Sequence, residues 1–138
     1  MGEKMKRILI ADDHLVDRKL VKMFLKNKAE CDEAANGNEA ILSYNFSVQE
    51  KNPYDVILMD VEMPVLRGVE VVRRIRDDES KRKIPPAQRV PVIVVSSLSA
   101  LEVGENREMF DDFVEKPFDQ KELLEKIDKV MMKFKKSL

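Results

Sequence analysis

The chain has 138 residues, enough for one domain with a substantial core. Charged residues make up 37% and apolar residues 43%, and the formal net charge of -1 draws it toward neither nucleic acid nor a membrane surface. No apolar run nears the ~20 residues of a membrane span. There is no signal-peptide core, so a cytoplasmic location is expected. One cysteine, Cys31, and one histidine, His14, exclude an internal disulfide and a zinc site of the usual kind.

Residues 1–6 are polar and read as a loose N-terminus. Ile8 to Ala11 is a buried-strand run that stops at Asp12-Asp13. Val16, Leu20, Met23 and Phe24 then recur at helical spacing, with Asp17, Arg18, Lys22 and Lys26 on the other side, which predicts a helix packed through the apolar set. Cys31 to Ala35 is a second strand, with Cys31 as packing, and Asn36-Gly37 is a turn. Glu39 to Gln49 is a helix with Ala40, Ile41 and Tyr44 facing inward, broken at Lys51-Asn52-Pro53. Val56 to Met59 is a third strand, and Val69, Val72 and Ile75 mark the helix after it. Residues 77–89, rich in both charges and holding prolines, read as a solvated loop. Val90 to Val95 is a fourth strand ending at Ser96-Ser97, Ala100 to Met109 a short helix, and Asp112 to Glu115 a fifth strand ending at Lys116-Pro117. Leu123, Ile127, Val130, Met131 and Phe134 define a last amphipathic helix with Asp119 as its N-cap, and its terminal lysines suit the negative end of the helix dipole.

Strands alternating with helices imply a parallel sheet covered on both faces. Right-handed crossovers place the carboxyl ends of all strands on one edge. That edge then carries Asp12-Asp13, Asp60, Ser96 and Lys116. Asp60 ends the run Val56-Ile57-Leu58-Met59 and is followed by Pro64 and Gly68, so it sits at a strand tip leading into a loop, where open α/β sheets place ligands. Alone, such an acid could equally cap the next helix. Clustered carboxylates repel unless a cation sits among them, and they are hard oxygen ligands suited to Mg²⁺. A carboxylate is also a nucleophile toward phosphoryl groups, a reaction that needs positioning and charge neutralisation. Lys116 and the Ser96 hydroxyl are of the types that supply these.

The segments ILIADDH (Ile8 to His14), ILMDVEMPVLRG (Ile57 to Gly68), VVSS (Val94 to Ser97) and VEKPF (Val114 to Phe118) resemble, in this order, the response-regulator receiver domains of two-component signalling. Both stand-alone chemotaxis-type and hybrid-kinase-type receivers are similar. The resemblance spans nearly the whole chain and implies one receiver domain over 1–138. Its fold would be flavodoxin-like and doubly wound, five parallel strands in the order 2-1-3-4-5 sandwiched by five helices. It implies that Asp60 is the phosphoacceptor and that Asp13 binds Mg²⁺ directly with Asp60. Asp12 helps through water, and the backbone carbonyl of Glu62 completes the protein ligands. Ser96 is the switch hydroxyl, Lys116 contacts the phosphate, and Phe113 reorients on activation; the Lys116-Pro117 bond is often cis in the family. Phosphate would come from a sensor histidine kinase or a histidine phosphotransfer protein, and the switched form would bind a downstream protein target. No activity beyond the chain's own phosphorylation and dephosphorylation is implied, and no nucleic-acid or membrane partner is expected. With the last helix ending at Leu138, a stand-alone or an excised receiver is expected.

Ser97 stands where the family usually has alanine, and Glu108 to Asp112 replace a usual Ala-Gly pair, which implies an irregular fourth helix and puts the usual output face in doubt. Phe113 replaces a frequent tyrosine, and a plain core aromatic is its other reading. His14 is read as a loop residue near the first helix rather than a phosphate donor. Glu62 and Leu98 are the family positions flanking the water path to the phosphate. Leu98, unable to hold a water, implies slow autodephosphorylation. Two rival readings are an aspartyl-phosphate phosphohydrolase and a pseudo-receiver that binds partners without phosphorylation. Val61-Glu62 after Asp60 and the lack of a cap insertion oppose the first, and the full set of acids, Ser96 and Lys116 opposes the second.

Overall fold

The computed structural model describes residues 5–97 and 104–135. Five parallel strands form one sheet in the order β2-β1-β3-β4-β5. They are β1 (Lys6–Ala11), β2 (Ala29–Ala34), β3 (Val56–Met59), β4 (Val92–Ser96) and β5 (Asp112–Glu115). Four α-helices stand among the described residues: α1 (Leu15–Phe24), α2 (Gly37–Gln49), α3 (Gly68–Lys81) and α4 (Gln120–Lys135).

Side chains alternate across the strands, so the sheet has two cores. Leu9, Ile57, Met59 and Val92 pack on Ala40 and Tyr44 of α2 and on Val71, Val72 and Ile75 of α3. Ile8, Ile10, Leu58, Ile93 and Val114 pack on Val21 and Leu25 from α1 and its end, and on Leu123, Ile127 and Val130 of α4. The central strands are buried on both faces, which is why β3 reads in the sequence as an unbroken apolar run. Ile8 of β1 stands opposite both Cys31 and Val56, and Met59 opposite both Ala11 and Val94, so neighbouring strands end nearly level.

Local chemistry sets the helix ends. The Asn36 side chain accepts the Glu39 N–H at 2.9 Å while Glu39 accepts the Ala35 N–H at 2.7 Å, a reciprocal cap that starts α2. Asp119 accepts the Glu122 N–H at 2.8 Å and starts α4, as expected. Gly68 starts α3 against the third strand's end: a Cβ there would lie 2.4 Å from the Asp60 carbonyl oxygen. A glycine is therefore required by close approach.

Three expectations need correction. Of the apolar set expected to bury α1 only Phe24 packs inward, beside Val21 and Leu25, while Val16 is 76% and Met23 63% exposed, with Leu20 also exposed. The helix carries two apolar stripes, and periodicity alone does not say which meets the sheet. Second, α3 runs on to Lys81, so the first five residues of the loop expected over 77–89 are helical. No proline or glycine interrupts residues 69–81, and Glu79 there is buried rather than solvated. Third, the helix expected over Ala100 to Met109 is a 3₁₀ segment in its described part, Gly104–Met109. Its beginning, and Leu98, lie outside the described residues.

Candidate functional site

The level strand ends bring the expected residues to one rim. The ladder continues one residue past the strands: the Asp12 N–H donates to Ala34 at 3.0 Å, Asp60 to Ala11 at 2.9 Å and Lys116 to Ser96 at 2.8 Å. These bonds fix the backbones of Asp12, Asp60 and Lys116 while their side chains point beyond the sheet. One ligand atom from each of Asp12, Asp13, His14 and Asp60 lies within 4.8 Å of the others.

Asp60 is only 2% exposed. Its Oδ1 accepts the Glu62 N–H at 2.8 Å, and its Oδ2 lies 3.3 Å from Lys116 Nζ. Burial pushes its carboxyl above the usual range, the Glu62 N–H and Lys116 pull it back, and Asp12 pushes it up again. Lys116 Nζ also donates to Asp12 Oδ2 at 2.8 Å and to Asp17 Oδ2 at 3.0 Å. Burial opposes the charge on this lysine, but the hydrogen bonds to Asp12 and Asp17 and the attraction of Asp60 and Asp12 outweigh it, and its pKa is raised. The Lys116-Pro117 peptide is cis.

Asp13 Oδ1 is buried and accepts no hydrogen bond; His14 Nδ1 lies 3.1 Å away without the alignment of one. His14 itself is an exposed loop residue preceding α1. Its pKa is raised, first by a hydrogen bond to Asp12 and next by the charge of Asp13. Three carboxylates beside one exposed imidazole, with one orphaned buried oxygen and a lysine already drawn in, fit a hard divalent cation. Ser96 is buried at the end of β4, with its hydroxyl 3.4 Å from Glu62 Oε1. Ser97 donates to that same oxygen at 2.7 Å. Phe113 is half-buried and packs beside Val61, Val94 and Phe110.

Two contacts of the rim were not legible. Asp17 reads in the sequence as part of the solvated face of α1, yet it holds Lys116. Its spacing from Val21 and Phe24 (i, i+4, i+7) carries the signal, since these residues share one face of a helix. The Ser97 hydroxyl, read as a tolerated replacement for alanine, holds the Glu62 side chain.

Residues 8–128 match the family described as response regulator receiver domain. The chain belongs to that family. The receiver is 31% identical over 134 residues to hybrid signal transduction histidine kinase I of Dictyostelium discoideum, covering 93% of this chain but 7% of that protein. It is 29% identical over 127 residues to chemotaxis protein CheY of Thermotoga maritima, covering 91% of this chain and 97% of that one. Among solved structures, response regulator protein TrrA from Thermotoga maritima, in complex with Mg(2+)-BeF, is similar with a TM-score of 0.74 and 34% identity, covering 91% of this chain and 99% of that one. The receiver therefore spans nearly all of the CheY and a small part of the hybrid kinase. Among the described residues no helix is long and apolar enough to cross a membrane.

Proposed function

We propose that this receiver is a phosphorylation switch in which Asp60 is the phosphoacceptor. One observation carries the reading: a nearly inaccessible carboxylate, gripped through one oxygen by the Glu62 N–H and through the other by Lys116, faces two more acids at the rim. An Asp60 oxygen attacks the phosphorus of a phosphohistidine. The new O–P bond forms as the P–N bond breaks, and the departing imidazole nitrogen keeps the electron pair. Lys116 neutralises charge on the transferred group, and the Ser96 hydroxyl donates to one of its oxygens in place of Glu62. Asp13, Asp60 and the Glu62 carbonyl would hold Mg²⁺, with Asp12 acting through water. When bound, the ion supplies further neutralisation of the phosphoryl oxygens. The TrrA complex with Mg(2+)-BeF supports this assignment.

The donor is a sensor histidine kinase or histidine phosphotransfer protein, a class supported by the hybrid-kinase relatives. The outward apolar stripe of α1, made of Leu15, Val16, Leu20 and Met23, borders the rim and suits a helical partner. Phosphate-biased contacts at Ser96, with Phe113 repacking in its cluster, then change affinity for a downstream protein. Catalysis is confined to the chain's own phosphorylation and dephosphorylation.

The test uses acetyl phosphate and Mg²⁺, with mass spectrometry of wild type and Asp60→Asn. One base-labile phosphoryl group on the wild type and none on the variant is expected. Equal labelling of both moves the acceptor elsewhere.

A further inference from the structure

We infer that Asp17 is a positioning residue for Lys116, keeping its ammonium at the rim when Asp12 and Asp60 are engaged by other ligands. The inference rests on the reading of the site given above. Lys116 Nζ has three N–H donors and three carboxylate partners, Asp12 at 2.8 Å, Asp17 at 3.0 Å and Asp60 at 3.3 Å. Asp12 and Asp60 belong to the cluster suited to a divalent cation; Asp17 does not. A cation draws on the oxygens of that cluster. Phosphorylation converts the Asp60 carboxylate into an acyl phosphate, whose former carboxylate oxygens are uncharged and accept hydrogen bonds only weakly. Asp17 is the partner that loses nothing in either event. It leaves two donors of the ammonium for the phosphoryl oxygens while fixing the third.

An acid in the first turn of α1 also suits the helix dipole, which is the simpler account of Asp17. The carboxylate, however, reaches out of its helix. Its hydrogen bond goes to the loop after β5, and its other charged neighbour is His14 Nδ1 at 3.9 Å. The two segments are joined independently. Phe24 and Phe118 meet edge to face with centroids 6.3 Å apart, and the Gln120 amide donates to the Phe24 carbonyl at 3.1 Å. Those contacts fix the loop against α1, so what remains for Asp17 to place is the lysine side chain.

The test has one arm without any ligand and one with a phosphoryl mimic. In metal-free protein carrying ¹⁵N-lysine, the Lys116 ammonium signal is assigned by its loss in Lys116→Arg. Its proton exchange rises about fivefold in Asp17→Ala, the scale of a partly exposed ion pair. With Mg²⁺ present, the dissociation constant for beryllofluoride rises about fivefold in Asp17→Ala and returns toward wild type in Asp17→Glu. The double variant Asp17→Ala, Lys116→Ala binds as Lys116→Ala alone does. The inference is overturned if Asp17→Ala matches wild type in both arms, or if it weakens the Lys116→Ala protein by the same factor. If the wild type itself fails to bind beryllofluoride, the reading of the site falls, and the ammonium exchange still decides the role of Asp17.

Discussion

Two groups of buried charge sit at opposite edges of the sheet, and they are built differently. Near the amino ends of β4 and β5, Asp111 accepts from Arg76 at 3.2 Å, from Arg89 at 3.1 Å and from the Val92 N–H at 2.8 Å. Glu79 accepts from Arg76 at 2.9 Å and from the Val90 N–H at 2.7 Å, and Arg76 also donates to the carbonyls of Met109 and Val90. Two acids face two guanidiniums, and one buried donor, Arg89 Nε, is left without a partner. At the other edge Asp12, Asp13, Asp17 and Asp60 face one lysine and one exposed histidine. The matched group fastens α3 to the entries of β4 and β5. Among the described residues the rim's carboxylates outnumber the cations bonded to them, an excess that an outside cation would offset. Imbalance, not burial, separates the functional cluster from the structural one.

Unbalancing the matched group has the largest expected effect. Asp111→Ala would take one carboxylate acceptor from Arg76, Arg89 and the Val92 N–H at once, and should cost about 3 kcal/mol in urea unfolding. A loss below about 1 kcal/mol would mean the network is loosely held.

A smaller effect concerns the loop between the acid and α3. Val65 is 93% exposed and adopts φ 68°, a left-handed conformation that penalises β-branched side chains. Val65→Asn should stabilise the protein by about 0.5–1 kcal/mol, since asparagine tolerates that region. No gain would mean that the surrounding loop holds the conformation without strain.

Much of this was legible in the sequence. The third strand was read to the residue, because burial on both faces makes an unbroken apolar run. The order of the elements placed Asp12, Asp13, Asp60, Ser96 and Lys116 together, and the structure brings them to one rim. What escaped depends on contacts between distant segments. Arg76, Glu79 and Asp111 look like ordinary surface charges until α3 is laid beside β4 and β5. Asp17 escaped with the inner face of α1, since choosing Val16 and Leu20 as the buried stripe turned Asp17 toward solvent.

The uncompensated acids should form a cation site, and the balanced group should not. Thermal unfolding across a Mg²⁺ series tests it in wild type, Asp13→Asn and Arg76→Lys, because a ligand bound only by the folded state raises Tm with its concentration. The wild-type Tm should climb with Mg²⁺, and Arg76→Lys should start lower and climb in parallel. Asp13→Asn should start at or above wild type, relieved of like-charge repulsion, and stay flat. A wild-type Tm indifferent to Mg²⁺, or an Asp13→Asn protein that climbs as steeply as wild type, would contradict the account.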